Sequence, residues 1–498
     1  MTPNQANTTL VHQPSARLQF GHARADITPP ANIYHPMWGA ARHHRATGIH
    51  RPLYGDIMVF STVEGDTWAQ VQLDMVGLGN EHHTQFQTTI AQAIGIAVEN
   101  VILAYSHTHA GGFFLLNRVD FPGGELILPY LDEINAKLSH TAAHAATALA
   151  PVTATFRYGR SDMAANRDFW DDENNLYACG YNPNAPADDT VLVARFTQDS
   201  GKSDSGKPDS DKLVATLVNY ACHPTSLAWE NTLISPDYVG ALREEVESQT
   251  GAPCVFTLGA CGDLGPRRNH QGDTAIADAN GRQVGFAALA ALEGMDPPGM
   301  AFAYQGPVIS GATLGTWQPV PLPTDAAQAT TVARGGLQQV DLPQKPVPDA
   351  ATLEAQMQDF LQKQADADAA GDPVAARNFG AFAERARRWL GRLPTLSTDP
   401  TYRYSFSVRR MGDSVWVALQ GEPYNWLQRE LRRRFPSAAI VCTVMAGQMG
   451  VAYLLPKDRY GVGLYQEEPS SLDRGCLEQL YAAVVEQIEA LGVPATDQ

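Results

Sequence analysis

Val101-Ile102-Leu103-Ala104-Tyr105-Ser106-His107-Thr108-His109-Ala110-Gly111-Gly112 is the stretch around which the chain is organised. A short apolar, β-prone run stops at two histidines spaced i, i+2, and two glycines follow. On an extended backbone alternate residues share a face, so His107 and His109 project into the same space. The glycines permit a turn and let another group approach the backbone closely. This pattern predicts the rim of a site at the end of a buried strand.

Working outward, the flanking segments keep a strand–helix–strand rhythm. Asp56 to Val63 and Thr67 to Met75 alternate as two strands around Glu64-Gly65-Asp66, Glu81 to Ile94 has helical periodicity, and 128–149 is an alanine-rich helix before a strand at Val152 to Tyr158. Leu213 to Ala221 is a nearly continuous apolar run, as in a strand covered on both faces, and Cys254 to Leu258 is a second. Helices are expected over Asp237 to Gln249 and Ala275 to Leu292, and Ser200 to Lys212 reads as an exposed hairpin tip. The fold class is therefore α/β, with central mixed β-sheets flanked by helices in one large domain.

One interval breaks the rhythm. Leu353, Met357, Phe360 and Leu361 mark an amphipathic helix, Gly371 ends it, Asp372 can cap and Pro373 suits the first turn of a second helix. The expected organisation is a flexible tail over 1–20, catalytic α/β domain over 21–318, a helical insertion over 319–400 and the rest of the α/β domain over 401–498. The inserted helical hairpin is expected either to cover the site or to support a homo-oligomer.

Composition narrows the function. At 498 residues, with 44% hydrophobic and 18% charged residues, the chain has the make-up of an ordinary globular protein. A formal net charge of −17 argues against a general nucleic-acid or anionic-membrane surface, but leaves the sign of a local pocket open. No run approaches the ~20 apolar residues that span a bilayer. Met1 to Gln19 is polar, without an apolar core of signal-peptide length, so a cytoplasmic location and a small-molecule substrate are expected. Six cysteines without CxxC spacing, most of them in apolar runs, read as buried free thiols.

Four buried strands finish with a polar group in a turn: His107 and His109, His223 in Cys222-His223-Pro224, Asp263 in Gly262-Asp263-Leu264, and Glu422 in Gln420-Gly421-Glu422-Pro423. Ligands of open α/β sheets bind outside the carboxyl ends of the strands. If these ends share an edge, imidazoles and carboxylates meet as in a catalytic zinc site, which takes three N/O protein ligands and keeps an open position. Asp263 in a Gly-rich turn can equally satisfy backbone amides, and Glu422 can favour the start of a helix. His35, His43, His44 and His50 lie in an irregular segment before Pro52 and fit either a pocket wall or an exposed loop.

Taken in order, Asp26-Ile27-Thr28-Pro29-Pro30, Ser106 to Gly112, Asn166-Arg167, Asn219 to Ser226, Gly262-Asp263-Leu264 and Gly421-Glu422 resemble the motifs of neutral ceramidases. Tyr453, Tyr460 and Tyr465 resemble the tyrosine spacing near the end of that family's catalytic domain. The resemblance spans roughly 20–495 apart from the helical insert. It implies Zn²⁺ held by His107, His223, Glu422 and Tyr453, with His109 on the substrate carbonyl and Arg167 and Tyr465 lining the pocket. Asp263 belongs to the same candidate catalytic set. Two departures accompany it: Gly265 stands where the family's GDxS pattern has serine, and neither the extra carboxyl-terminal β-domain nor a secretion signal is recognised.

The expected function is hydrolysis of an amide (N-acyl) bond in a small or amphiphilic substrate by metal-activated water. Fold and metal do not fix the bond. An ester, phosphoester or glycosidic linkage is the first alternative, and a non-catalytic metal- or ligand-binding protein the second.

Overall fold

The computed structural model describes residues 9–199 and 212–496. The hairpin tip expected over 200–212 falls, apart from Lys212, outside these residues. Among the described residues no helix is long and apolar enough to cross a membrane.

The main sheet has eight strands: β1 (Ser15–Asp26), β2 (Tyr54–Ser61), β3 (Thr67–Leu73), β4 (Val101–Tyr105), β5 (Ala150–Arg160), β6 (Thr190–Gln198), β7 (Leu213–Tyr220) and β8 (Cys254–Leu258). Their order is β8-β7-β6-β5-β1-β2-β3-β4, antiparallel except for the two outermost pairs, β8/β7 and β3/β4. On one face lie helices α1 (Asn80–Ile94), α2 (Ile127–Thr147), α3 (Tyr238–Thr250) and α4 (Thr274–Glu293).

The second sheet has four strands, β9 (Ala333–Pro343), β10 (Thr401–Met411), β11 (Ser414–Leu419) and β12 (Ala439–Thr443). It packs on the other face of the first sheet. Strand β6 shows why both faces must be covered. Val191 and Val193 join the helix-side core, while Leu192, Ala194 and Phe196 join the core between the sheets. There Phe196 stacks on Phe20 with centroids 4.3 Å apart, and Trp416 of β11 meets Phe60 edge-on at 5.4 Å.

A short segment after β12 gathers the strand ends. Val444 N–H donates to Leu258 O at the end of β8, Ala446 bridges Ala104 of β4, and Ala446 N–H donates to Leu419 O at the end of β11. Strands β4 and β8, at opposite edges of the first sheet, thereby deliver their last residues to one place.

Two boundaries differ from expectation. Residues 15–20 are not tail but the first half of β1, paired with β2 and β5, with Leu18 and Phe20 buried. The interval 319–400 is not helical throughout. It starts in the last residues of strand Ala312–Pro321 and contains β9, which pairs along β10. Only Leu342 of β9 is buried, as suits an edge strand, so it lacks the apolar alternation that marks a covered one. The two helices are α5 (Ala350–Ala369) and α6 (Pro373–Arg392). Gly371 takes φ 72°, and the Asp372 carboxylate accepts Val374 and Ala375 N–H at 3.1 and 2.9 Å. All six cysteines are free thiols.

Candidate metal centre

His107 leaves β4 through a backbone that only a tight frame tolerates. Its N–H donates to Met75 O at 2.9 Å and it holds φ 63°, a left-handed conformation that costs a non-glycine residue on the order of 1–3 kcal/mol. The imidazole Nδ1 lies 2.6 Å from Val76 O. His223, fully buried after β7, repeats the arrangement with Nδ1 3.0 Å from Leu264 O. A carbonyl oxygen can only accept, so in both rings Nδ1 carries the hydrogen and Nε2 presents its lone pair.

Both Nε2 atoms turn to Glu422. Its Oε2 is 2.7 Å from His223 Nε2 and 3.7 Å from His107 Nε2, and one donor atom from each residue lies within 4.8 Å of the others. Three acceptors thus converge with no donor hydrogen among them, which is the electrostatic signature of a cation site. Two imidazoles and a carboxylate suit Zn²⁺ in chemistry and number, and both rings already have the second hydrogen bond that fixes a ligand's tautomer.

His109 lies beside these groups. Its Nε2 is 3.3 Å from His107 Nε2, and Trp38 packs against the ring at 5.1 Å. Burial, reinforced by His107 and His223, holds His109 well below the ordinary imidazole pKa, so it is a neutral donor at pH 7. Tyr453 pairs with Glu422 across a parallel bridge, its ring 6.3 Å from that of His223 and 5.9 Å from Tyr465. Burial pushes the Tyr453 phenol well up, opposed by Arg167, whose guanidinium lies 5.3 Å from the ring centre. Arg167 donates through Nη2 to Gly262 O at 2.8 Å, while its buried Nε has no partner.

These groups form one wall of a cavity of about 390 Å³, the size of a small-molecule site. His107, His109, Arg167, Glu422, Tyr453 and Tyr465 all line it; His223, the third member of the cluster, is not in the lining. Asp263 is outside the lining. Its Oδ1 accepts Asn425 N–H at 2.7 Å, just ahead of helix α7 (Trp426–Arg434), and burial pushes its pKa up to about 6. The chemistry expected at Asp263 is thus replaced by a backbone-capping carboxylate, because the Gly-rich turn carries it past the cavity to the helix start.

The histidine-rich segment does form wall, but through Met37, Trp38, Gly39 and Ala40 rather than its histidines. His35 Nδ1 is 2.8 Å from His43 Nε2, and burial lowers the His35 pKa to about 4. Helix α6 also lines the cavity, with Glu384, Arg385, Arg388, Trp389 and Arg392. The second helix of the inserted hairpin therefore forms part of the cavity wall. Those arginines escaped the sequence reading; the available signal was their recurrence at helical spacing beside Trp389. His270, Met445 and Ala452 were missed too. With His107 they are four non-glycine residues that line the cavity at positive φ, a feature no residue type announces.

The two-sheet α/β frame is a ceramidase-like fold. Two solved structures share it. A neutral ceramidase from Pseudomonas aeruginosa superposes with a TM-score of 0.61 at 16% identity, over 97% of this chain and 77% of that one. A ceramidase complexed with C2 gives 0.61 and 16% over 98% and 77%. At such identity the likeness is one of fold. No family model matches the sequence, and no curated protein sequence matches it either.

Proposed function

We propose that this chain is a zinc-dependent hydrolase that cleaves an amide (N-acyl) bond of a small or amphiphilic substrate. The observation that carries the reading is the convergence of His107 Nε2, His223 Nε2 and Glu422 Oε2 within 4.8 Å at the wall of a substrate-sized cavity. These three residues would hold the metal, and Tyr453, bridged to Glu422, is the fourth candidate. A zinc ion bound there would supply Lewis acidity and activate water for attack at neutral pH.

The chain's own residues do the rest. His109, neutral and beside the ligands, donates its ring N–H to the scissile carbonyl oxygen, where negative charge grows in the transition state. Arg167 offers its unpartnered Nε to the same wall, and Tyr465 orients the substrate from the rim. Trp38, Phe113 and Met449 exclude water from the space between.

The test is elemental analysis of the purified protein together with a panel of N-acyl compounds, esters, phosphates and glycosides. The expected result is zinc near one equivalent and hydrolysis of N-acyl substrates that a chelator abolishes. Full activity in metal-free protein would overturn the zinc reading. Turnover confined to another bond class would overturn the amide assignment.

A further inference from the structure

The roof of the cavity differs in sign from the rest of the chain. The protein carries a formal charge of −17, yet α6 turns Arg385, Arg388 and Arg392 to the cavity, and Arg118 and Arg387 stand directly behind them. Glu384 and Glu468 pair with this group, and Glu422 acts on Arg392 from the metal wall. Glu384 is shared among Arg118, Arg387 and Arg388, at 2.5, 2.8 and 2.9 Å, and Glu468 meets Arg385 at 3.6 Å. Five guanidinium groups against these three carboxylates leave a surplus of two positive charges over a partly apolar space. In such a space unscreened charge acts over the whole cavity.

The hydrogen bonds of these arginines leave donors to spare. Each guanidinium has five N–H groups in a planar fork. Arg392 places one on Pro469 O at 2.7 Å and lies 4.1 Å from the centre of the Trp389 ring. Arg388 is braced by Glu384 and Met37 O. Arg385 has only the long Glu468 pair, and half of its side chain is exposed. A planar fork stacked on an indole at a cavity wall is the arrangement by which proteins hold carboxylate and phosphate oxygens.

We propose that the arginine face of α6 selects substrates bearing an anionic group, a carboxylate or phosphate, beside the acyl bond to be cut. The bond itself rests on the function proposed above; the anion selection rests on the roof alone. The substrate class is then an acidic N-acyl amphiphile rather than a neutral lipid amide. Its apolar part lies against Met37, Trp38, Phe113 and Leu115, and its anionic oxygens lie under Arg388 and Arg392. The hairpin is in this view a specificity element, placed over a metal centre that does not itself distinguish neutral from charged amides.

The test is titration calorimetry on the full-length protein with N-octanoylglycine, N-octanoylglycinamide and octyl phosphate. It is run before and after EDTA treatment, so that anion binding to a metal is separated from binding to the roof. At least one anionic probe is expected to bind ten times or more tighter than the amide, with the gap surviving EDTA. The carboxylate and phosphate arms distinguish the two headgroups. Arg392→Gln is expected to close most of the gap, and Arg385→Gln, with no buried partner to lose, to narrow it while the thermal midpoint stays unchanged. An amide that binds the untreated and EDTA-treated protein as tightly as both anions, or a gap unmoved in both variants, overturns the proposal. Anion preference without turnover of any N-acyl compound would instead count against the hydrolase reading alone.

Discussion

His223 Nε2 lies 2.7 Å from Glu422 Oε2, although the residues are 199 positions apart in the chain. Neither atom carries a hydrogen for the other while His223 Nδ1 donates to Leu264 O, so the pair is stable only around a cation or an added proton. His223→Ala and Glu422→Ala are each expected to reduce bound zinc from near one equivalent to a small fraction. N-acyl hydrolysis should fall by at least ~100-fold, the upper range for disturbing a metal's supporting shell. Metal content by mass spectrometry checks this, and stoichiometric zinc in either variant would show that other residues hold it.

His109 should separate from the ligands in the same assay. It is placed to stabilise developing charge rather than to hold the metal, so His109→Ala is expected to keep its zinc. Its kcat should drop by about 10²–10³, as when one oxyanion donor is removed, with KM changing far less. Loss of metal in this variant would move His109 into the coordination shell instead.

The difference between these two histidines bears on what could be read from sequence. The i, i+2 spacing and the strand before it were enough to put His107 and His109 at one strand end, and apolar runs before His223 and Glu422 did the same for those residues. Helices α5 and α6 were legible from Gly371, Asp372 and Pro373, whose caps the structure contains. What the sequence withheld is long-range. That β4 and β8 meet depends on the segment from Val444 to Ala446, which has no motif. Asp263 has the right chemistry and the wrong direction, since one turn of backbone decides between the cavity and Asn425. The edge strand β9 has no apolar alternation to betray it.

The sheet that carries the site is clamped by a buried ion network, which gives its stability a pH dependence. Asp56 on β2 accepts from His22 and Arg24 at 2.8 Å, and Arg24 continues to Glu247 of α3 at 2.6 Å. Burial alone would push the Asp56 carboxyl up, but Arg24 and His22 outweigh it and hold it below the usual carboxylate range. A folded-state pKa below the unfolded one adds stability that is complete above the unfolded value of ~3.9 and is lost as pH falls toward the folded one. Asp56→Asn is therefore expected to cost about 3–5 kcal/mol at pH 7, the range for breaking a buried pair. Denaturant melts of both proteins should show the gap constant from pH 7 to 5 and shrinking below ~pH 4. A gap that widens on acidification would reverse the sign of the argument.

Gly265 offers the sharpest check on whether the metal centre alone carries the chemistry. It lies in the strand Leu264–Pro266, paired with Ala164–Asn166. A β-carbon built there would meet only Thr225 Oγ1 at 3.7 Å and the Arg167 Cδ at 3.8 Å, ordinary contact distances. Nothing in the packing demands glycine, so Gly265→Ser should fold with its stability unchanged or raised by up to ~1 kcal/mol through lost freedom of the unfolded chain. The new hydroxyl would stand close to the unpartnered Nε of Arg167 and could accept from it. If the histidine–glutamate cluster and His109 suffice for hydrolysis, kcat stays within about tenfold of the parent, a barrier change of ~1.4 kcal/mol or less. A gain of a hundredfold would mean that glycine at 265 disarms this site, and that the hydroxyl, not the cluster by itself, sets the rate.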